Sequence, residues 1–191
     1  FQIFCVCIMS IGITEKTSAN QSPWLGKPLY SLLARDEALV DVLKNFSNAY
    51  DTPVYVSEKI SGTVNGHYSD IQPGEFLKKL SDIHSFNWYF DVTVLYFYRN
   101  DELESRLLQL QHLLPGELKE NLHRLGLWDH QYNWREIPAS GLIYLVGPPR
   151  MVEVIAEAAE VLDQRERDHQ EATYTVRFFP LKHASAHDST L

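Results

Sequence analysis

The chain has 191 residues, of which 45% are hydrophobic and 22% are charged, and its formal net charge at pH 7 is −8. This composition is ordinary for a globular protein, and the length allows one large domain or two small ones. Nucleic-acid binding depends on neutralising phosphates with basic residues, so the excess of acidic residues argues against a nucleic-acid partner.

The first nineteen residues have the pattern of an export signal. The stretch FQIFCVCIMSIGI carries no charge, and the small residues Thr17–Ala19 follow it closely. This predicts a secretory signal at residues 1–19, clipped at its front, with a buried N-terminal strand as the alternative. Its removal would also remove Cys5 and Cys7. The exported chain would then have no disulfide, no cysteine-ligated zinc and no cysteine nucleophile, which suits a bacterial periplasm.

Residues 20–100 predict a first small domain with the element order β-α-β-β-α-β-β. Asp36 is the expected N-cap of its first helix, because the apolar residues that follow recur at spacings of three and four. Pro73 is expected in the first turn of the second helix, where proline is tolerated. Two aromatic runs predict a closing hairpin. The five strands are expected at Leu29–Leu33, Val54–Val56, Thr63–Tyr68, Asn87–Phe90 and Val94–Tyr98.

Residues 101–166 predict a second domain with the order β-α-β-β-α. The fold class is therefore α+β, with two small tandem domains and the start of a third. The charged run at 164–171 is expected to be a linker, and residues 167–191 to hold linker and the truncated start of a further domain, with a strand at Thr173–Phe179. The other strands are expected at Leu107–Leu113, Tyr132–Ile137 and Leu142–Val146, and the helices from Pro115 to Gly126 and from Pro149 to about Gln164.

The last predicted helix follows the turn Gly147-Pro148-Pro149. A glycine turn at a helix N-terminus can hold a phosphate, because unpaired N–H groups point outward there. The two prolines have no N–H to offer, so we interpret the turn as a rigid joint between strand and helix and not as a ligand loop.

The same helix has more apolar surface than it needs to cover its own sheet. Its polar residues fall in an arc only about 60° wide, whereas an apolar stripe of about 100° is enough to face a core. The surplus predicts a second contact, either with another subunit or with the neighbouring domain of the same chain. The candidate subunit-interface residues are Arg150, Met151, Val154, Ala158 and Val161.

No catalytic residue, cofactor or metal site is predicted. His183 and His187 lie four positions apart and would share one face of a helix, but no third ligand lies at a suitable spacing. The serines show no nucleophile-elbow pattern. A hydrolase that uses the two histidines is kept as the weakest alternative, and the sequence favours a binding or structural role.

Several stretches resemble the periplasmic front end of the secretins, the outer-membrane ring proteins of bacterial secretion systems. LVDVLKNFSNAYDTPVYVSEKISGTVNGHYSDIQPGEFLKKLSDIHSFNWYFDVTVLYFY resembles the short N-terminal domain that secretins share with TonB-dependent receptors. GLIYLVGPPRMVEVI is similar to the Gly-Pro-Pro-Arg-aromatic-Val-Glu motif of the type III branch, in the KH-like ring-building domain, although Met151 stands at the aromatic position. VRFFPLKHASAHD resembles the beginning of the next ring-building domain.

The resemblance implies an exported protein that forms a homo-oligomeric ring at the outer membrane, with this region in the periplasm. By the same resemblance, this region docks to the inner-membrane ring of a type III secretion apparatus, and exported proteins pass through the centre. Membrane contact is then expected only through a C-terminal barrel further along the chain. The alternatives are the signalling domain of a TonB-dependent receptor, or a secretin of the type II or pilus branch.

Overall fold

The computed structural model of the chain describes residues 24, 26–128 and 132–173. The predicted export signal at 1–19 and the predicted strand of a third domain, with His183 and His187 beyond it, lie outside the described residues, apart from Thr173 at the start of that strand. The described strands are β1 (Tyr30–Ala38), β2 (Val54–Val56), β3 (Thr63–Ile71), β4 (Phe86–Phe90), β5 (Leu95–Arg99), β6 (Glu104–Gln109), β7 (Asn133–Ile137) and β8 (Leu142–Gly147). The described helices are α1 (Leu39–Ala49), α2 (Pro73–His84), α3 (Pro115–Arg124) and α4 (Pro149–Thr173).

The first unit comprises β1 to β5 with α1 and α2. Its strands form an antiparallel pair β1-β3 and a three-stranded sheet in the order β2-β5-β4. In that sheet β4 and β5 are the predicted antiparallel hairpin, while β2 runs parallel to β5. Both helices turn one apolar face inward, as their three-and-four spacing predicts. The buried hydrophobic residues that the two helices give to the core are Leu39, Val42, Leu43, Phe46, Phe76, Leu77 and Leu80.

The second unit comprises β6 to β8 with α3 and α4. Its sheet has the order β6-β8-β7, with antiparallel pairing on both sides of β8. Ile143 and Leu145 of β8 are fully buried against the two helices. The predicted orders β-α-β-β-α-β-β and β-α-β-β-α, and the mixed fold class, are confirmed.

The prediction that Asp36 caps α1 is wrong. β1 continues to Ala38, and Asp36 has a φ of 51° at an irregularity of the β1–β3 ladder. Its side chain instead connects β1 to β3. The Asn65 amide donates to Asp36 Oδ1 at 2.9 Å, and the Asp36 N–H donates to Asn65 Oδ1 at 2.8 Å. Helix α1 begins without a side-chain cap, and the Leu39 N–H donates to the Gly62 carbonyl at 2.9 Å.

The predicted linker at 164–171 is also wrong, because α4 continues to Thr173. Arg, Gln and Glu have good helix propensity, and side chains four positions apart support one another on a helix surface. The charged run supplies several such pairs, so it extends the helix. The pairs are Gln164 with Asp168 at 2.9 Å, Gln170 with Glu166 at 3.1 Å, and Arg167 with Glu171 at 3.8 Å.

The predicted strand at Leu107–Leu113 is displaced toward the N-terminus, and β6 ends at Gln109. The chain then turns, and one carboxylate accepts hydrogen bonds from the backbone N–H groups of the turn. Asp163 of α4 accepts N–H hydrogen bonds from Gln111, His112 and Leu113 at 2.8 to 3.2 Å. Burial raises the pKa of Asp163, but the three N–H donors outweigh it and hold that pKa below its ordinary value.

Candidate subunit interface and the joint between the units

The turn Gly147-Pro148-Pro149 forms the predicted joint between strand and helix. β8 ends at Gly147, and α4 begins at Pro149. The Val152 N–H donates to the Pro148 carbonyl at 3.0 Å and so starts the helical hydrogen bonds. A side chain at Gly147 would overlap the end of the Met151 side chain, so a larger residue here would force Met151 to shift.

Met151 is the one candidate interface residue that the structure removes from the surface. Its side chain is fully buried in the second unit's core together with Val152, Ile155 and Ala159. The angular position of Met151 on the helix predicted a surface site, but the turn before it brings β8 close enough to cover it. Met151 therefore stabilises the fold and has no exposed surface for another subunit.

Three other candidates lie on the outer side of α4. Val161 is 66% exposed, while Val154 and Ala158 are half-buried. Their spacing of four and three residues places them in one row along the helix. We call this row the α4 face. It is apolar and is most exposed at Val161, while Ala158 also packs against the core of the second unit.

A second apolar surface lies on the sheet side facing away from the helices, and sequence reasoning missed it. Leu107 of β6 lies directly opposite Tyr144 of β8, and Leu142 of β8 lies opposite Ile137 of β7. We call Leu107, Tyr144 and Ile137 the outer sheet face; each is exposed, and Leu107 is 64% exposed. The sequence of β8 could have indicated this surface, because its residues are apolar on both sides of the strand.

Arg150 contacts the first unit. Its Nε lies 3.3 Å from Asp91 Oδ2, and its Nη1 lies 2.7 Å from Glu153 Oε2 on the next turn of α4. Asp91 begins the turn between β4 and β5, and only 9% of its side chain is exposed. Burial raises the pKa of Asp91, but hydrogen bonds from Val94, Thr93 and Arg150 outweigh it and lower that pKa below its ordinary value.

Two tyrosines make a reciprocal contact between the units. Tyr89 of β4 is buried in the core of the second unit, and its hydroxyl donates to the Leu127 carbonyl at 3.1 Å. In the opposite direction, the Tyr132 hydroxyl donates to the Trp88 carbonyl. The two tyrosine rings meet edge to face with their centroids 6.4 Å apart. The hairpin of the first unit is thus packed into the second unit.

The described residues hold no group of three or more histidine, cysteine or acidic side chains arranged to bind a metal. Within the same residues, none of the helices has the length and apolar character needed to cross a membrane.

Comparison with known proteins assigns the second unit. Residues 105–168 match the family model described as the bacterial type II/III secretion system short domain. The nodulation protein NolW of Rhizobium fredii is 31% identical over 156 residues, which are 82% of this chain and 66% of that protein. The type 3 secretion system secretin of Ralstonia nicotianae is 29% identical over 167 residues, which are 87% of this chain and 28% of that protein.

Solved structures agree with these relatives. The InvG chain in a refined structure of InvG N0N1, SpaPQR and PrgHK from the Salmonella SPI-1 injectisome matches with a TM-score of 0.63 and 27% identity, over 71% of this chain and 95% of that chain. InvG in the atomic model of the same injectisome's basal body gives a TM-score of 0.65 and 28% identity, over 71% of this chain and 29% of InvG.

The chain spans about two thirds of the nodulation proteins and less than a third of the type 3 secretins that it matches. Secretins are secretion channels and not a family of enzymes. The fold, the family model over the second unit and the type 3 relatives agree, and the chain belongs to the secretin family of bacterial secretion systems, where it matches the N-terminal part of type 3 secretion system secretins.

Proposed function

We propose that the chain is a periplasmic part of a type III secretion secretin and helps to build a homo-oligomeric ring at the outer membrane. In this role it docks to the inner-membrane ring of the apparatus, and exported proteins pass through the centre of the ring. Its contribution is geometric and involves no catalysis. The type 3 secretins among its relatives, and the presence of InvG with PrgH and PrgK in one basal body, support this role.

We further propose that residues 20–100 are the short N-terminal secretin domain and that residues 101–166 are the ring-building domain. The two separate buried clusters support this division, since each unit has a core of its own, with Tyr89 of β4 belonging to the core of the second unit. The family match at 105–168 covers nearly the same segment as the second of these domains.

The single observation that carries the ring proposal is the pair of apolar surfaces on the second unit. The α4 face belongs to the helix layer, while the outer sheet face lies on the opposite side of the sheet. Exposed apolar patches of this kind mark interaction sites. Because the two surfaces differ, they suit a head-to-tail contact in which the α4 face of one copy meets the outer sheet face of the next. Repetition of such a contact closes into a ring when the rotation allows it.

The test places one carboxylate in each surface of the chain. We expect Val161→Asp and Leu107→Asp each to abolish the concentration-dependent self-association of the chain, measured by sedimentation velocity, because a buried unpaired charge opposes the contact. The melting temperature should change little, since both side chains are exposed. Ile155→Asp should instead unfold the second unit, because Ile155 is fully buried.

Gln164→Asp is the matched control, because it places a carboxylate on the polar arc of the same helix. It should leave self-association unchanged. The ring proposal is contradicted if the chain stays monomeric at every concentration reached, or if Gln164→Asp weakens association as much as Val161→Asp. Equal unfolding by Val161→Asp and Ile155→Asp would assign Val161 to the core.

A further inference from the structure

We propose that Arg150 is a positioning residue that fixes the angle between the two units of one chain. This goes beyond ring packing, because its partner is a carboxylate of the same chain and not of a neighbouring subunit. The observation is the contact between Arg150, the second residue of α4, and Asp91 in the β4–β5 turn of the first unit.

Asp91 uses its two carboxylate oxygens for two different purposes. Oδ1 accepts the N–H groups of Thr93 and Val94 at 3.1 and 2.7 Å, which closes the hairpin turn. Oδ2 faces across the boundary to Arg150. The turn is thus held in shape by one oxygen and attached to the second unit by the other. Any rotation of the first unit about the boundary would move the hairpin tip away from α4 and separate this pair.

A second carboxylate, that of Glu153, helps to orient the Arg150 side chain toward Asp91. Arg150 Nη1 pairs with Glu153 at 2.7 Å, one turn further along α4, and its side chain is 33% exposed. The planar guanidinium holds several donors in a fixed geometry, so it can serve two carboxylates in set directions. A carboxylate as buried as Asp91 needs a charged or hydrogen-bonding partner, and Arg150 supplies one.

The ion pair acts together with several other attachments between the units. The first is the exchange of hydroxyl hydrogen bonds by Tyr89 and Tyr132, which surrounds an apolar contact. The second is the covalent connection, where a short turn at Asn100–Glu102 joins β5 to β6. A third is the packing of the half-buried Tyr96 of β5 against the core of the second unit. The Arg150–Asp91 pair adds a directional contact at the hairpin turn, where it opposes rotation of one unit against the other.

The pair also links the first unit to the helix that carries the α4 face. Arg150 lies one helical turn before Val154 on the same continuous helix. The first unit is therefore oriented with respect to the helix surface itself and not only to the sheet of the second unit. This orientation is a property of the single chain and does not depend on whether the α4 face contacts a neighbouring copy.

The experiment measures the distance between spin labels on the two units of the full chain. Cys5 and Cys7 are replaced by serine, and labels are placed at Lys44→Cys on α1 and Glu160→Cys on α4, both exposed positions. Double electron–electron resonance should give one narrow distance distribution for this background. We expect Arg150→Met to shift and broaden the distribution, because the alkyl packing stays while the directional contact is lost.

Two further variants separate positioning from general stability. Glu153→Gln keeps the Asp91 contact and should retain the narrow distribution. Arg150→Lys keeps the charge but lacks the planar fork, so it should give an intermediate width. A residue that only stabilised the fold would lower the melting temperature without changing the width. The proposal is overturned if Arg150→Met leaves the distribution narrow, or if Glu153→Gln broadens it equally.

Discussion

A single carboxylate, that of Asp163, holds the backbone of the loop between β6 and α3. It accepts hydrogen bonds from three consecutive N–H groups, at residues 111, 112 and 113. These donors have no helical or strand partner, because the chain turns there between two elements. Hydrogen bonds to an ionised acceptor are roughly twice as strong as those between neutral groups. Asp163 thereby attaches the middle of α4 to a loop some fifty residues earlier in the chain.

At this residue scale we expect Asp163→Asn to lower the free energy of unfolding by about 1 kcal/mol at neutral pH, because the amide keeps an acceptor but loses the charge. The pKa of Asp163 is lowered in the folded chain, so its contribution is present above the unfolded pKa of about 4 and is lost as pH falls through the folded pKa. Urea unfolding of both proteins should therefore show a difference that disappears in acid.

The exposed Glu160→Ala, on the same helix, provides the control and should leave the unfolding free energy nearly unchanged. A difference between the wild type and Asp163→Asn that persisted at low pH would contradict the role of the ionised carboxylate.

At the scale of the element, α4 consists of two parts with different support. Its first half is buried against the sheet, whereas the part after Gln164 depends on side-chain pairs along its own surface and on one contact of Gln170 with the His112 carbonyl at 3.4 Å. Helices without such packing are marginal in water. The stability of the end of α4 is therefore separable from that of the second unit's core.

Asp168→Pro tests this separation, because proline removes one helical hydrogen bond and clashes with the carbonyl four residues earlier, at a cost of about 3 kcal/mol in a helix interior. Hydrogen exchange should accelerate at the amides of 165–173 and stay slow at Ile155 and Leu118 of the core. Asp168→Ala, which removes the pair with Gln164 but leaves the helix backbone intact, should accelerate exchange at 165–173 much less and leave the core amides slow. Loss of protection at Ile155 with the proline variant would mean that the helix melts as a whole.

At the scale of the whole molecule, Tyr89 of β4 connects the first unit to the core of the second. Its chain neighbours belong to the first unit, yet its ring is buried in the second. The units should therefore unfold in one cooperative thermal transition. Tyr89→Ala leaves a cavity in the second core, for which losses of about 3 to 5 kcal/mol are usual for large aromatic residues. We expect calorimetry of this variant to show two separated transitions, the lower one belonging to the second unit.

Tyr89→Phe retains the ring and loses only the hydroxyl contact with Leu127, so it should keep a single transition with a slightly lower midpoint. Two transitions already present in the wild type would contradict the coupling of the units through Tyr89.

The element order was predictable because it depends on local periodicity. The three-and-four spacing of α1 and α2, the prolines at the starts of α2, α3 and α4, and the aromatic hairpin all belong to short stretches of sequence. The contact of Asp91 with Arg150 was not predictable, because the two residues lie 59 positions apart. The sequence around either residue does not indicate a contact with the other. The burial of Met151 was not predictable either, since the strand that covers it lies outside the helix.

The length of α4 has a consequence for whatever follows Thr173. A helix of 25 residues is about 37 Å long, since each residue adds about 1.5 Å. A helical end transmits direction as well as distance, and each added or removed residue turns the following chain by about 100°. The number of residues between Leu162 and Thr173 therefore determines the direction in which the chain leaves the helix. One inserted residue would reorient the following segment by more than a quarter of a turn while hardly changing its distance.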